Sequence, residues 1–293
     1  MSSAPAVQER ASQSSERQVV LHIENATKVY EDGQRDVVAF RDVDLTLHAG
    51  EIVCLLGPSG CGKSSLLRMT AGLDHLSEGS IEIHGQPVDG PDPRVGVVFQ
   101  DARLLPWLTV RENIAFPFRF EANHRKPRGL RGIFSKQTAP PEASADAEVD
   151  ARVDEILVQT GLSKFADAYP DKISGGMAQR VALARSLVRS PEIILCDEPF
   201  AALDALLRME LQEWLVRLVR EEGASLIFVT HDIEEALFLG DRIAILTPHP
   251  GKIAELRDVE LPRPRNRNDR AFFDARSRIL QTFKRLQISH LSE

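Results

Sequence analysis

Eight consecutive residues have the types and order needed to hold a phosphate chain. Gly57, Pro58, Ser59, Gly60, Cys61, Gly62, Lys63 and Ser64 match the pattern GxxxxGK[ST]. A glycine-rich turn that leads from a strand into a helix aims several backbone N–H groups at one point, and the helix dipole adds to the attraction for anions. Lys63 brings a positive charge to the β- and γ-phosphates, and the Ser64 hydroxyl is placed to ligate Mg²⁺.

The elements on either side of this stretch agree with that interpretation. Residues 52–56 form a short apolar run rich in strand formers, and residues 65–69 open a helical pattern. A glycine-rich turn that binds nothing is the alternative, and it does not require both a strand before it and a helix after it. The sequence therefore predicts a nucleoside triphosphate site at 57–64.

A second candidate is a pair of acids at the end of another apolar run. Residues 193–196 read as a buried strand that ends on Asp197 and Glu198. Buried carboxylates are costly unless they meet a cation, so Asp197 is the expected outer partner of Mg²⁺. Glu198 would face the γ-phosphate and an attacking water. Two surface acids at a strand end are the alternative interpretation.

Four further polar or aromatic positions are candidates for the site, and three of them have two interpretations. Gln100 follows the strand predicted at 94–99. In α/β sheets, side chains at the carboxyl end of a strand commonly line the binding site. Ser174-Gly175-Gly176 precedes a helix that begins near Met177 and is either a second anion site or a simple N-cap. His231 follows the strand at 225–229 and is a cap residue or a chemical group. Tyr30 is either core or a plate under a purine base.

Composition limits the class of protein. The chain has 293 residues, 43% of them hydrophobic, which suffices for one large domain or two small ones. A net charge of −7 argues against a nucleic-acid partner. The 3 Cys lack metal-ligand spacing and fit a reducing compartment. Neither a secretory signal nor an apolar run long enough to cross a bilayer is visible, so a membrane-spanning part would be another polypeptide.

Several segments outside these motifs also carry predictions. Residues 1–18 read as a disordered tail, and the early strands at 19–25 and 37–47 as an antiparallel sheet beside a nucleotide core. Residues 121–147 are basic and then rich in Pro, Ala and Ser; they form a linker or surface excursion, either solvated or touching lipid headgroups. Residues 261–293 form a basic extension whose terminal helix packs on the body. Thr109 and Glu112 predict a capping box, and Trp107 is core or an exposed partner patch.

The order of these motifs resembles the ATP-binding cassette (ABC) ATPases over residues 19–260. The resemblance implies an α/β P-loop NTPase core with a mainly parallel sheet, an N-terminal antiparallel β subdomain, and a helical subdomain at about 101–190. Residues 57–64 look like the Walker A loop and 193–198 like Walker B. The other family motifs are matched by Tyr30 (adenine stacking), Gln100 (Q-loop), Ile173–Met177 (signature), Ala202-Leu203-Asp204 (D-loop) and His231 (switch histidine). The signature has Ile173 where the family has Leu and Met177 where it has Gln.

The family's functional residues carry over motif by motif. The resemblance implies a head-to-tail dimer, with an identical or a paired ATPase, that binds two ATP and Mg²⁺ at its interface. The resemblance assigns hydrolysis to Glu198, His231, Gln100 and Lys63. It makes Ser64, Gln100 and Asp197 the ligands of Mg²⁺. The residues that the resemblance implies contact ATP are Tyr30, residues 57–64, Ser65, Ser174, Gly175, Gly176 and Asp204.

Finer features resemble one branch of that family, the importer ATPases for nitrate, taurine and alkanesulfonates. They lie at 99–107, 113–114, 174–180 and 198–204. The resemblance implies a peripheral protein on the cytoplasmic face of the membrane, with permease subunits as partners, a solute-binding protein acting indirectly, and no nucleic acid. The alternatives are a soluble ABC ATPase acting on ribosomes or DNA, an exporter subunit, and a P-loop kinase.

Overall fold

A computed structural model describes residues 18–31, 36–124, 142–201 and 203–290. The predictions for residues 1–17, for residues 125–141 of the excursion and for Ala202 lie outside the described residues. In chain order the elements are β1 (Val19–Glu31), β2 (Asp36–His48), β3 (Ile52–Leu56), α1 (Lys63–Thr70), β4 (Glu78–Ile83), β5 (Gln86–Pro87), β6 (Val95–Val98), α2 (Val110–His124), α3 (Glu142–Gln159), α4 (Gly175–Leu187), β7 (Ile193–Asp197), α5 (Ala205–Glu221), β8 (Ser225–Thr230), α6 (Ile233–Leu239), β9 (Arg242–Leu246), β10 (Ile253–Asp258) and α7 (Arg270–His290).

The chain forms two compact units. Residues up to Asp92 and from Gly223 onward make the first unit, and residues Pro93–Glu222 make the second. The first unit contains an antiparallel sheet in the order β2-β1-β4-β5. This arrangement confirms the antiparallel sheet expected of the early strands.

A second group of strands in the first unit carries the phosphate loop. β3 pairs in parallel with β8 on one side and with β9 on the other, and β10 pairs antiparallel with β9. Every residue of β3 and of β8 is buried. Continuous apolar runs are what strands buried on both faces require. The parallel strands therefore bring the residues after Leu56 and Thr230 to one edge of the sheet.

The C-terminal extension packs on the first unit through one side of its helix. Phe272 and Ile279 of α7 are 3% and 1% exposed, whereas Phe273 and Leu280 are 60% and 39% exposed. Phe272 and Ile279 therefore face the body of the unit, and Phe273 and Leu280 face solvent. Neighbouring residues of a helix point about 100° apart, so one member of each consecutive pair can be buried while the other is exposed.

In the second unit, β6 and β7 pair in parallel and three helices share a core. Ile114 of α2, Ile156 of α3 and Val181 of α4 are fully buried in that core. The predicted capping box at the start of α2 is confirmed, because Thr109 N donates to Glu112 Oε2 (2.9 Å) and Glu112 N donates to Thr109 Oγ1 (3.2 Å).

Three helix boundaries differ from the sequence prediction. α4 begins at Gly175 rather than near Met177, because Ser174 caps it and both glycines fall in its first turn. Both ends of the predicted 121–147 excursion are helical, since α2 continues to His124 and α3 starts at Glu142. Ala and Glu are strong helix formers, which explains why the helices extend into this segment. Across the described ranges, no helix has the length and hydropathy needed to cross a bilayer.

Candidate nucleotide site

The phosphate loop runs from the end of β3 to the start of α1. Gly60 and Gly62 have φ of +79° and +89°, in the left-handed region that favours glycine. Leu66 N donates to Gly62 O (2.9 Å) as α1 begins, and no acidic residue lies in the first turn of that helix. Backbone N–H groups in such a conformation form a concave anion site at a helix N-terminus. The geometry is that of a phosphate cradle.

Lys63 is folded back into this loop. Lys63 is buried, and its Nζ donates to Gly57 O and Pro58 O, both at 2.9 Å. Carbonyl dipoles stabilise an ammonium ion but do not neutralise its charge, so an anion in the loop adds a favourable partner. Burial raises the pKa of the nearby Cys61 thiol, although the charge of Lys63 opposes this. Cys61 is therefore a neutral, buried thiol and not a nucleophile.

Tyr30 is an exposed platform rather than a core residue. It is 38% exposed near the end of β1. Its hydroxyl lies 3.3 Å from Ser65 Oγ and 3.4 Å from Asp74 Oδ2. Lys28 Nζ lies 4.9 Å from the centre of the Tyr30 ring, within the range of a cation–π contact. The ring is thus held by groups around it and remains accessible for stacking.

Lys28 and Asp74 were not found by sequence reasoning. Lys28 Nζ donates to Asp74 Oδ1 (3.1 Å) and to His75 O (2.7 Å). Burial opposes ionisation of Asp74, but the His75 N–H and the Lys28 ammonium outweigh it, and the pKa of Asp74 falls below its usual value. The available signal was that Lys28 lies two residues before Tyr30, and alternate residues of a strand share a face.

We expect Lys28→Met to weaken ATP binding about three- to tenfold, because it removes the cation–π contact and the ion pair that orient Tyr30. Titration calorimetry with ATP and with inorganic tripolyphosphate measures this, and only the ATP affinity should fall. Lys284→Met is the matched control, since Lys284 is an exposed lysine of α7 in the same unit. An equal loss of affinity for ATP and for tripolyphosphate would indicate a disturbed fold and not a lost stacking surface for adenine.

His231 lies at the end of β8, in the first unit. It is exposed, and it is not the cap of α6. That cap is Asp232, whose Oδ1 accepts from Glu234 N (2.8 Å) and Glu235 N (3.3 Å). His231 borders a cavity of about 420 Å³ together with Arg276 and Leu280 of α7. The interpretation of His231 as a helix cap is therefore wrong, and its imidazole stands at the carboxyl edge of the sheet.

The acidic pair lies in the second unit, at the end of β7. The first four residues of this strand are buried, and Asp197 and Glu198 are half-buried. Glu198 has a φ of +44°, an uncommon conformation for a residue with a side chain. The buried Phe200 lies two residues further on, and Ala201 N donates to Glu198 O (3.2 Å). Such strain persists only where the surroundings impose it, and it concentrates at functional sites.

Ser174 caps α4 and leaves the helix N-terminus open. Its Oγ accepts from Met177 N at 3.3 Å. A Cβ on Gly176 would lie 2.3 Å from Leu207 Cδ2, so Gly176 packs closely against the start of α5. A Cβ on Gly175 would meet nothing within 4 Å, and Gly175 is exposed. Ser174 is thus a simple N-cap in this structure, and the exposed first turn is also accessible to an anion.

Gln100 and Asp204 complete the predicted set in the second unit. Gln100 is exposed, two residues beyond β6. α4 holds the chain beside it, because Gln179 Nε2 donates to Phe99 O at 3.1 Å. Asp204 caps α5 through its Oδ1, which accepts from Leu207 N at 3.0 Å. The helix with Ser174 at its start is thereby tied to the segment that carries Gln100.

The predicted residues fall on both units. The first unit brings together Tyr30, Ser65 and the phosphate loop, and it also carries His231 at the carboxyl end of β8. The second unit carries Gln100, Ser174, Gly175, Gly176, Asp197, Glu198 and Asp204. Within the part of the chain that the structure describes, no three His, Cys, Asp or Glu side chains form a group that could hold a metal ion. Mg²⁺ fits such a protein, because it usually takes one or two carboxylates together with phosphate oxygens.

Comparison with known proteins assigns the family. The family model described as ABC transporter matches residues 40–201. The aliphatic sulfonates import ATP-binding protein SsuB 2 of Burkholderia lata is 43% identical over 268 residues, covering 92% of this chain and 88% of that protein. This chain belongs to the ABC transporter ATP-binding family. It is an ATP-binding, ATP-hydrolysing subunit coupled to transport.

Other ABC proteins agree over similar lengths. The aliphatic sulfonates import ATP-binding protein SsuB of Bacillus subtilis is 40% identical over 257 residues, covering 88% of this chain and 91% of that protein. A solved ATP-binding cassette, dimeric and bound to ADP and Pi in a post-hydrolysis state, matches with a TM-score of 0.67 and 33% identity, covering 82% of this chain and 99% of that chain. The predicted P-loop NTPase fold and the ATP-binding function are confirmed, and the kinase alternative is excluded.

Proposed function

We propose that this chain is the ATPase subunit of an importer for aliphatic sulfonates. The observation that carries the proposal is the likeness to SsuB proteins of Burkholderia and Bacillus, at 40–43% identity over about nine-tenths of this chain. The subunit would lie on the cytoplasmic face of the membrane and act on separate permease subunits. The permease and a solute-binding protein would select the anion. Nitrate and taurine are the other substrates of this importer branch and are the alternative solutes.

The residues of the first unit would bind the nucleotide. Tyr30 stacks on the adenine, the N–H groups of residues 57–62 surround the phosphates, and Ser65 adjoins both. Lys63 exchanges a loop carbonyl for a phosphate oxygen, and its charge stabilises the negative charge that spreads over the transferring phosphoryl group. His231 contacts the γ-phosphate. Mg²⁺ would neutralise part of the phosphate charge, with the Ser64 hydroxyl as its ligand from this unit.

The residues of the second unit would carry the hydrolytic step, with Gln100 and Asp197 as Mg²⁺ ligands. Glu198 accepts a proton from the attacking water or orients that water. Gln100 would report the state of the nucleotide to the surface of the second unit. The open N-terminus of α4, at Ser174, Gly175 and Gly176, would receive the γ-phosphate of ATP bound to another subunit, and Asp204 lies at the same contact. ATP would then join two subunits, and its hydrolysis would release them.

An exposed apolar patch on the second unit is the candidate permease contact. Trp107, Phe165 and Tyr169 are 69%, 40% and 48% exposed. Their segments are joined by backbone bonds, since Val110 N donates to Ala168 O and Arg111 N to Ala166 O, both at 2.9 Å. Exposed aromatic groups on a hydrogen-bonded scaffold are typical of a protein-binding surface. A helix of the permease with its own apolar face would cover them.

Deletion of the gene in the source organism tests the substrate. We expect growth with an alkanesulfonate as sole sulfur source to be lost, because no force drives its uptake, while growth on sulfate continues. Wild-type protein should restore uptake of the labelled sulfonate, and the Glu198→Gln variant should not. Normal sulfonate uptake with a defect in taurine or nitrate uptake would reassign the substrate, and normal uptake of all three would refute the importer function.

A further inference from the structure

The turn between β9 and β10 lies directly against the phosphate loop. Residues 247–252 form a tied turn: Thr247 N donates to Lys252 O (2.9 Å), and Thr247 Oγ1 donates to Pro250 O (2.9 Å). The turn is anchored to β2, since Gly251 N donates to Ala39 O (3.2 Å) and Arg41 N donates to Gly251 O (2.9 Å). None of these residues belongs to the motifs that the sequence analysis identified. The turn is nevertheless a fixed wall beside the nucleotide site.

Gly251 touches one peptide group of the phosphate loop. A Cβ added to Gly251 would lie 1.9 Å from Cys61 O and 3.0 Å from Cys61 C. The oxygen is the nearer atom, so the Cys61 carbonyl points at Gly251. The contact leaves room for a hydrogen and no larger group. Gly251 has an ordinary φ, so glycine is required here by this contact and not by the backbone conformation.

The direction of that carbonyl fixes a donor of the phosphate site. In a trans peptide the C=O and the following N–H point in opposite directions. Because the Cys61 carbonyl points at Gly251, the Gly62 N–H points away from the turn, toward the opposite side of the loop. Gly62 is itself packed on β2, since a Cβ there would lie 2.6 Å from Ala39 O. The peptide between Cys61 and Gly62 is thus held from the rear by both elements.

His249 lies against the same phosphate loop, beside Gly60. A Cβ on Gly60 would be 3.2 Å from His249 Nε2. His249 is exposed, and Gly60 is exposed as well. An imidazole at this position presents a ring nitrogen beside the N–H groups that surround the phosphates. It can donate a hydrogen bond to an anion in the loop, as the neutral ring with a proton on Nε2 or as the imidazolium ion.

We propose that the β9–β10 turn is part of the phosphate site, with Gly251 as a positioning residue for the Gly62 N–H and His249 as an additional donor beside Gly60. The proposal rests on the proposed role of residues 57–64 as the phosphate loop. It assigns a task to a turn that follows the switch histidine by about twenty residues and carries no family motif identified above.

The test is the affinity of Gly251→Ala and His249→Ala for inorganic tripolyphosphate and ATP, measured by titration calorimetry. Gly251→Ala should weaken both ligands at least tenfold, because the added methyl group must displace the Cys61 carbonyl and rotate the Gly62 N–H. The KM for ATP should rise with little change in kcat at saturating ATP. His249→Ala should weaken both ligands about threefold, and His249→Gln, which keeps an N–H donor, should recover most of that loss.

Gly90→Ala is the matched control for the glycine substitution, since a Cβ there meets nothing within 4 Å and its φ is ordinary. Wild-type protein that binds neither ligand would refute the phosphate-loop assignment itself. Wild-type affinity in both turn variants would overturn only the present proposal. If Gly251→Ala does not fold, His249→Ala decides: weaker tripolyphosphate binding supports the proposal, and unchanged binding refutes it.

Discussion

Replacing Glu198 by glutamine should leave ATP binding intact and lower kcat by about two to four orders of magnitude, the usual contribution of a general base. The amide keeps the size of the carboxylate but loses its negative charge and its ability to accept a proton. The backbone of Glu198, at a φ of +44° between β7 and the buried Phe200, holds the side chain at the strand end in both proteins. Phosphate release at saturating ATP gives kcat, and calorimetry gives the affinity.

Glu192→Gln is the matched control for this variant. Glu192 is an exposed acid just before β7, so the same chemical change is made outside the strand end. Its kcat should stay near that of the wild type. A Glu198→Gln protein that turns over at a near-normal rate would remove Glu198 from its proposed role. A large loss of ATP affinity in that variant would show that Glu198 serves binding and not catalysis.

Lys63→Ala should affect an earlier step, nucleotide binding. It should weaken ATP binding roughly tenfold to a hundredfold. A hydrogen bond to a charged group contributes about 1.5–3 kcal/mol, and Lys63 is the ammonium inside the loop. Gly57 O and Pro58 O, which now accept from Nζ at 2.9 Å, would both lose their donor. The loss should be larger for ATP than for AMP, because the charge acts on the distal phosphates.

Lys164→Ala is the control for Lys63→Ala, because Lys164 is an exposed lysine in the second unit. Thermal unfolding of both variants separates a folding defect from a binding defect. ATP affinity equal to that of the wild type in a folded Lys63→Ala protein would exclude Lys63 from phosphate binding. Together with Glu198→Gln, this variant separates binding from hydrolysis in two different parts of the chain.

Features that depend on neighbours in sequence were predicted well. The strand, turn and helix around residues 57–64 follow from an apolar run, glycines at positive φ and a helical pattern. The capping box at Thr109 and Glu112 is another local signal, since its two hydrogen bonds join residues three apart. The fold class followed from the order of such motifs along the chain.

Features that depend on contacts distant in sequence were not predicted. Periodicity left Tyr30 undecided, because its exposure is set by its surroundings, including Ser65 and Asp74. Gly251 reads as an ordinary turn glycine until the Cys61 carbonyl is seen beside it. The sequence also does not say which of two adjacent apolar residues of α7 meets the body. Each case requires the three-dimensional contact itself.

The measurement that tests the central claim most directly is purification of Glu198→Gln protein from membranes in mild detergent with ATP, followed by mass spectrometry. A variant that binds but does not hydrolyse ATP should hold the assembled transporter together. We predict recovery of a multi-span permease in stoichiometric amount, and its loss when Trp107→Ala is added. Recovery of ribosomal or DNA-associated proteins without a permease would contradict the transporter function.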